Sequence, residues 1–450
     1  MATKRLNWIG FGLVIWYLLG IYTGVHLYSG KSLLVPFFVA GIAGSLLLIK
    51  NKKRIRVQHI TAIGAIVLIA WLSVLFKGVD VFFIERFKGV VQITYSILLA
   101  YGFFLELSSW EKEQIAKLFY YCCLLILIGC ALENYTPFKL LSDNFRQAVF
   151  KTGVYEGVAR DISMFGMERP KLFTSEPSHV SKFLLFSMFL WLAFSQDKDK
   201  YIKVLVFAAA GVLLIGSPIV VLIIPISFVI AIYLEGNGLS RFLKKMTPKK
   251  FLLSFVFVFF VLLLIFVIQM TLLANRFAAV ASGKADGSSI IRVIAPPLIT
   301  FDVLKEYPMW GAGITGKEMV ADKVFFRLRM GFGLTSIKNT KSATNMISNI
   351  FWLHWIYFGL FGGILMVWAI YLLMKVLGVK HYLYCLFLML IFSQVMGGYV
   401  GAKTWMFFIG IFLTSVLMTK EQRYGTFKEQ RYTVIAYLLV GDSKKNSLTT

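Results

Sequence analysis

Twelve apolar runs divide this chain, near residues 6–28, 32–49, 59–76, 89–109, 115–134, 180–196, 201–216, 218–234, 251–273, 349–374, 382–398 and 403–419. Most approach or exceed the ~18 residues that read as a membrane span. A bilayer offers the backbone no water, so each run is predicted to satisfy its own peptide groups as an α-helix. The seventh and eighth runs are separated only by Gly216-Ser217-Pro218. Joining them would move every later connection to the other side of the membrane.

Charge decides between the two counts. With the N-terminus in the cytoplasm, the inner connection 50–58 carries five Lys/Arg and no acid, and 235–250 carries five against one. The outer connection 77–88 carries three against two. Short inner connections are on balance the more basic, as the positive-inside rule requires. Fusing two runs would put 375–381 and the basic tail outside. Twelve spans with both ends in the cytoplasm fit better.

Two long connections, 134–179 and 275–345, then fall on the outer side. The second carries ten Lys/Arg against five Asp/Glu. Long loops escape the charge rule, so this does not contradict the topology. A basic, structured excursion there needs an anionic client. Residues 288–307 (SSIIRVIAPPLITFDVLKEY) mix apolar positions with Arg292, Asp302, Lys305 and Glu306. They predict an amphipathic helix on the membrane surface, broken near Pro296-Pro297. Residues 146–168 mix aromatic and charged positions in the same way. There is no internal repeat. The chain thus divides into helices 1–5 (1–133), a first outer loop (134–179), helices 6–9 (180–274), a large outer loop (275–348), helices 10–12 (349–419) and a cytoplasmic tail (420–450).

Composition agrees with an all-α polytopic membrane protein. Of 450 residues 58% are apolar and 15% charged, a balance no soluble domain has. The net charge of +25 would suggest nucleic acid in a soluble protein. Here it sits in the short connections that orient spans, and a nucleic-acid partner is not expected. Cys122, Cys123, Cys130 and Cys385 lie inside apolar runs with no CxxC spacing and read as small buried hydrophobes. The first run is too long for a signal-peptide core and is read as a span.

Candidate chemistry concentrates in Arg169 to Phe183, RPKLFTSEPSHVSKF, which closes the first outer loop and enters the sixth span. Arg169, Glu176, His179 and Lys182 lie there at headgroup depth. Glu176 or Ser178 suits a helix cap and Pro177 a first turn; a helix N-terminus attracts anions, and arginine offers phosphate a bidentate fork. Capping and interfacial anchoring account for Glu176, Pro177 and Ser178 equally well, and for Arg169 and His179 less well. In the second loop Arg276, Arg292, Arg327 and Arg329 are the phosphate candidates, with snorkelling or solvation as the competing account. Tyr307 to Gly316, YPMWGAGITG, lacks a GxxxxGK[ST] pattern and reads as a tight turn. His354 and Glu106 lie within spans, where ionisable groups are functional by default, though both sit near a span end. No cluster has metal-ligand spacing, and no cofactor is expected.

These features resemble the superfamily of O-antigen polymerases (Wzy-type) and O-antigen ligases, bacterial inner-membrane glycosyltransferases. RPKLFTSEPSHVSKFLL resembles the family's Arg-x-x-x-Phe-x-x-x-Pro block opening a span. Arg292 followed by Pro308-Met-Trp-Gly311-Ala-Gly313 resembles its loop arginine ahead of a Pro-x-x-Gly-x-Gly turn. Asn349, Gly359 and Gly362 match a His-Asn pair followed by Gly-x-x-Gly. The histidine of that pair is Ser348 here, which favours polymerase over ligase. The resemblance covers the whole chain as topology and about forty residues as motif.

The resemblance implies a GT-C-like fold and transfer of a glycan from undecaprenyl pyrophosphate to the non-reducing end of a second lipid-linked repeat unit. The site would face the periplasm and need no metal. Arg169, Arg292, Arg276 and Arg327 would hold the pyrophosphate, and Glu176 or His179 would act at the acceptor hydroxyl. Tyr307, Trp310 and Asn349 would meet the glycan, with Phe173, Phe325 and Phe326 as further aromatic surface. Expected partners are undecaprenyl-pyrophosphate-linked oligosaccharides, membrane lipid and a chain-length regulator protein. A lipid-linked oligosaccharide flippase or a solute permease is the competing class, disfavoured by the missing repeats.

Overall fold

The computed structural model describes residues 7–29, 32–150, 157–235, 295–331, 347 and 349–418. The ninth run (251–273), Arg276, Arg292 and Ser348 lie outside them. Every other run corresponds to helix.

The chain begins with α1 (Trp8–Thr23), whose first amides donate to the Asn7 carboxamide and whose end is closed by Gly24 at φ 66°. A short antiparallel hairpin follows, β1 (Leu27–Ser29) and β2 (Ser32–Val35), then α2 (Phe38–Lys50). This hairpin departs from the expected all-helical pattern, because a short strand of apolar residues reads like the start of a span. Next come α3 (Val57–Leu75), α4 (Phe83–Leu107), α5 (Lys112–Tyr135), α6 (Phe138–Val149), α7 (Val158–Phe165), α8 (Pro177–Phe194) and α9 (Lys200–Ile215). Gly216, left-handed at φ 60°, ends α9, and Pro218 opens a 3-10 turn leading into α10 (Ile223–Ile230). The seventh and eighth runs are therefore separate elements. The rest comprises α11 (Ala295–Glu306), α12 (Ala321–Phe326), α13 (Ile350–Leu377), α14 (Tyr382–Ser393) and α15 (Ala402–Met418).

Six segments among the described residues are long and apolar enough to cross a membrane: α3, α4, α5, α8, the continuous stretch Pro218–Glu235, and α13. The shorter apolar helices α1, α2, α14 and α15 pack with them. The protein is a polytopic membrane protein. Helix pairs α1–α2, α2–α4, α3–α13 and α5–α8 form the main interfaces. Small residues bring some backbones close: a Cβ on Gly20 would lie 2.3 Å from the Ala40 nitrogen.

Burial separates the helices into two kinds. In α8 nearly every side chain from Val180 to Phe194 is buried, and the described side chains of α15 are buried from Ala402 to Leu417. Phe186 stacks on Phe407 at 4.2 Å, joining the two. Helix α3 instead exposes Val57, Ile60, Leu68 and Leu75. Exposed apolar side chains on a polytopic bundle face lipid, so α8 and α15 form its interior and α3 part of its rim.

The two ends of the bundle also differ. At one, the Glu106 carboxylate accepts from Lys50 (2.7 Å), Asn51 (2.8 Å) and Trp110 (3.2 Å). Glu106 is thereby satisfied as a structural clamp. The opposite end carries α6 and α7 and the α11–α12 region. The described part of helix α11 runs from Ala295 to Glu306 and includes both prolines. Its buried stripe of Ala295, Ile299 and Val303 packs on α13. It is docked on protein along this face rather than only resting on lipid.

Candidate active site

The block that opens α8 is held in an unusual shape. Leu172 and Phe173 both occupy left-handed backbone, at φ 36° and 61°, a conformation that side chains disfavour by roughly 1–2 kcal/mol per residue. Such strain persists only where the surroundings over-determine it. Here Glu133, buried near the end of α5, accepts from the Lys171 amide (3.0 Å), the Leu172 amide (2.6 Å) and the Ser142 hydroxyl (3.4 Å). Ser142 accepts from the Phe173 amide, Arg146 donates to the Thr174 carbonyl, and the Tyr22 hydroxyl donates to the Leu172 carbonyl. Three helices thus fix one turn. Phe173 is spent on this packing, edge-on to Phe138 and Phe145.

Arg169 precedes the turn and pairs with Asp161 of α7 at 2.8 Å, Asp161 being fully buried. It lines a cavity of about 210 Å³ with Lys139, Glu168 and the end of α5. Glu168 is bridged by Lys139 (2.5 Å) and Lys171 (2.6 Å). Burial acts to raise its carboxyl, but these two ammonium groups win and hold it below the ordinary value.

After the turn the chain enters α8 at Pro177. Glu176 is the exposed N-cap residue; its carboxylate caps no amide and accepts from the Ser178 hydroxyl at 3.0 Å. His179 Nδ1 is 3.2 Å from the Ser175 hydroxyl. His179 lies in the field of Lys182, Lys403 and His26, and Lys403 in that of Lys182 and Glu176. Lys403, the second residue of α15, is 8% exposed and makes no hydrogen bond or ion pair with a described residue. Its ammonium stands 6.0 Å from the Phe37 ring centroid. The interior helices α8 and α15 therefore present N-terminal turns and basic side chains in one neighbourhood. Snorkelling sideways to lipid is closed to them. Helix N-termini and ammonium groups together suit a multiply charged anion.

The second loop forms a joint. The α13 helix breaks at Gly359 (φ 65°, ψ −165°), and residues 308–312 dock into the break. The Ala312 amide donates to the Ile356 carbonyl (2.8 Å), while the Leu360 and Gly362 amides donate to the Pro308 and Met309 carbonyls (2.7 and 3.1 Å). The Pro-x-x-Gly-x-Gly turn and the Gly-x-x-Gly spacing, separate in sequence, are two halves of one structure. Trp310 lies on Gly362, stacks on Phe76 at 4.5 Å and meets Phe361 edge-on. Gly313 sits against Arg86, which is fully buried and paired with Asp80 at 2.6 Å.

Asn349 caps α13 by accepting from the Phe351 amide and donates to the Gln394 carboxamide at 2.8 Å. His354 is buried across the break: Nε2 faces the Gly363 carbonyl (3.0 Å), which only accepts, so Nδ1 accepts from the Tyr399 hydroxyl (3.2 Å). It is a satisfied core histidine. Arg327 forms a two-pronged pair with Asp302 (2.5 and 2.8 Å), fastening the turn after α12 to α11. Arg329 lies over the Phe325 ring at 5.7 Å, and Phe326 is exposed.

Tyr307 has Lys77 over its ring at 3.5 Å. Burial first, and then the Arg86 guanidinium, bring the Lys77 ammonium down to about 8 despite Glu306 and Asp80. Burial brings Lys317 to about 8 as well, against Glu318. An amine whose pKa falls on folding stabilises the fold most when neutral in both states, above the ordinary 10.5. That stability is lost as pH drops from 10.5 through 8. Solubilised protein should therefore melt higher at pH 10.5 than at 8, and Lys77→Met should remove part of the rise. A rise of equal size in the variant would show that Lys77 is not the source.

Of the residues expected from sequence, Arg169, Glu176 and His179 share one end of the bundle, while Arg327 and Asn349 are engaged in structural bonds. Sequence reasoning passed over Glu133 and Lys403. Both had a visible signal, an ionisable residue within or at the edge of an apolar run. No curated protein and no solved structure matches the chain. Residues 14–417 match the model of the WcaD colanic acid polymerase family, and the chain belongs to that family.

Proposed function

We propose that this polysaccharide polymerase extends a glycan carried on undecaprenyl pyrophosphate, at the periplasmic face of a bacterial inner membrane with both termini in the cytoplasm. The observation supporting it is the gathering of His179, Lys182 and Lys403 at the N-terminal turns of the two interior helices. A departing lipid pyrophosphate needs its developing charge neutralised. Lys403 and Lys182 take that role with Arg169 at the adjacent cavity; the same role is assigned to Arg292 and Arg276, which lie outside the described residues. Arg327, locked to Asp302, acts through the position of α11. Tyr307, Trp310 and Asn349 support the glycan path.

In the reaction the acceptor's non-reducing-end hydroxyl attacks the anomeric carbon of the donor glycan. The bond from that carbon to the pyrophosphate oxygen breaks, and undecaprenyl pyrophosphate leaves with the electron pair. The hydroxyl proton passes to the exposed Glu176 carboxylate or to His179. The family's name supports an exopolysaccharide repeat unit of the colanic-acid kind as substrate.

Purified protein in proteoliposomes, offered synthetic lipid-linked repeat units, tests this directly. A ladder of longer glycans with release of undecaprenyl pyrophosphate is expected. Transfer to a lipid A core would mark a ligase, and transbilayer movement without growth a flippase; either result overturns the proposal.

A further inference from the structure

A second basic site lies at the other end of the bundle and does not depend on the proposed reaction. A cavity of about 630 Å³ opens there between the first turn of α3, the last turn of α4, the α13–α14 connection and Val416 of α15. Lys53, Arg54, Arg56, His59 and Lys380 line it, and among the described residues no carboxylate does. The nearby acid, Glu106, is already engaged by Lys50, Asn51 and Trp110. Among the described residues Lys53, Arg56 and Lys380 form no ion pair.

The guanidinium of Arg54 is positioned by neutral oxygens: the Leu105 carbonyl, Asn51 (3.2 Å) and the Ser108 hydroxyl (2.8 Å). His59 Nε2 donates to the Val376 carbonyl (3.1 Å), so Nδ1 accepts from the Tyr101 hydroxyl (2.8 Å). These bonds occupy two carbonyls of the α4 and α13 C-terminal turns, acceptors that would otherwise repel an anion. The positive-inside rule explains how many cations collect at this end. It does not explain their convergence on one cavity walled by Phe104, Leu105, Leu377 and Val416. The tail 420–450 carries six Lys/Arg against three Asp/Glu, so its charge does not complement the cavity.

We infer that this cavity binds a phosphate-bearing headgroup. The exposed Val57 and Ile60 beside it offer acyl chains an apolar wall, which favours an anionic phospholipid over a soluble phosphate.

Native mass spectrometry of the full-length protein with phosphatidylglycerol, cardiolipin or phosphatidylcholine, and separately with inorganic pyrophosphate, distinguishes the sources. The anionic lipids should be retained at least tenfold more than phosphatidylcholine. The double variant Arg56→Gln, Lys380→Gln removes exposed side chains that bond to no described residue, and it should lose that preference while melting as wild type does. Lys52→Gln with Lys198→Gln, at the same end but off the cavity, should keep it. Pyrophosphate binding without lipid preference, lost in the first variant, assigns the site to a soluble phosphate. Equal retention of all lipids without pyrophosphate binding, or a preference unchanged by the first variant, overturns the inference.

Discussion

Replacing Lys403 by alanine should abolish glycan extension, by at least ~100-fold, while the purified protein melts at the same temperature as wild type or higher. A ~100-fold loss corresponds to about 2.7 kcal/mol of transition-state stabilisation, the range seen when one donor to a developing oxyanion is removed. The stability half of the expectation follows from burial. Lys403 is 8% exposed and forms no hydrogen bond or ion pair with a described residue, and holding an ammonium in the interior costs folding free energy. A residue kept at such a cost is expected where it meets a ligand. A merely structural lysine would move both readouts together.

Arg169→Ala provides the contrast. It too should stop extension, but it removes the ion pair to the fully buried Asp161 carboxylate and should lower the melting temperature as well. Arg292→Ala belongs in the same series. Normal polymer from both Lys403→Ala and Arg169→Ala would remove the proposed pyrophosphate site and leave the polymerase assignment standing.

The arrangement around Lys403 shows why some of this was legible in the sequence and some was not. Apolar run length reports that a segment enters the membrane, and the described runs did become helices. It does not report which neighbours a helix has. Helix α15 is largely apolar from Trp405 on whether it faces lipid or protein, so a lysine at the start of the run 403–419 gives no sign of its surroundings. Only burial on all sides turns it into an interior charge. The block from Arg169 to Lys182 was legible because charges at headgroup depth are rare enough to stand out. Its anchor, Glu133, lies 38 positions before Lys171, a pairing that no periodicity encodes. Arg327 stood out for the same reason as Arg169, yet Asp302 answers its charge across two short helices. The strand residues 27–28 and 32–35 fall in runs expected to be helix, because they are largely apolar and too short to show alternation.

The joint between the second loop and α13 was legible only as two glycine spacings, because backbone hydrogen bonds leave no side-chain signature. It also yields the largest expected stability effect, from Gly311→Ala. A Cβ there would lie 2.4 Å from the Ile356 carbonyl oxygen and 2.6 Å from the Gly359 nitrogen. Both are backbone atoms, so no side chain can rotate away. Relief requires residues 308–312 to leave the α13 break, giving up the three bonds made by the Ala312, Leu360 and Gly362 amides. At about 1 kcal/mol net per bond, with roughly 1–2 kcal/mol for alanine at φ 60°, the loss is ~4–5 kcal/mol. Few single substitutions reach that size. Gly378→Ala separates strain from docking, because Gly378 is also left-handed (φ 86°) but a Cβ there meets nothing within 4 Å. It should cost only the conformational part, ~1–2 kcal/mol. Thermal unfolding in detergent, followed by size-exclusion chromatography, should place Gly311→Ala well below Gly378→Ala, itself slightly below wild type. Equal midpoints for the two variants would mean that the loop does not dock into the broken helix.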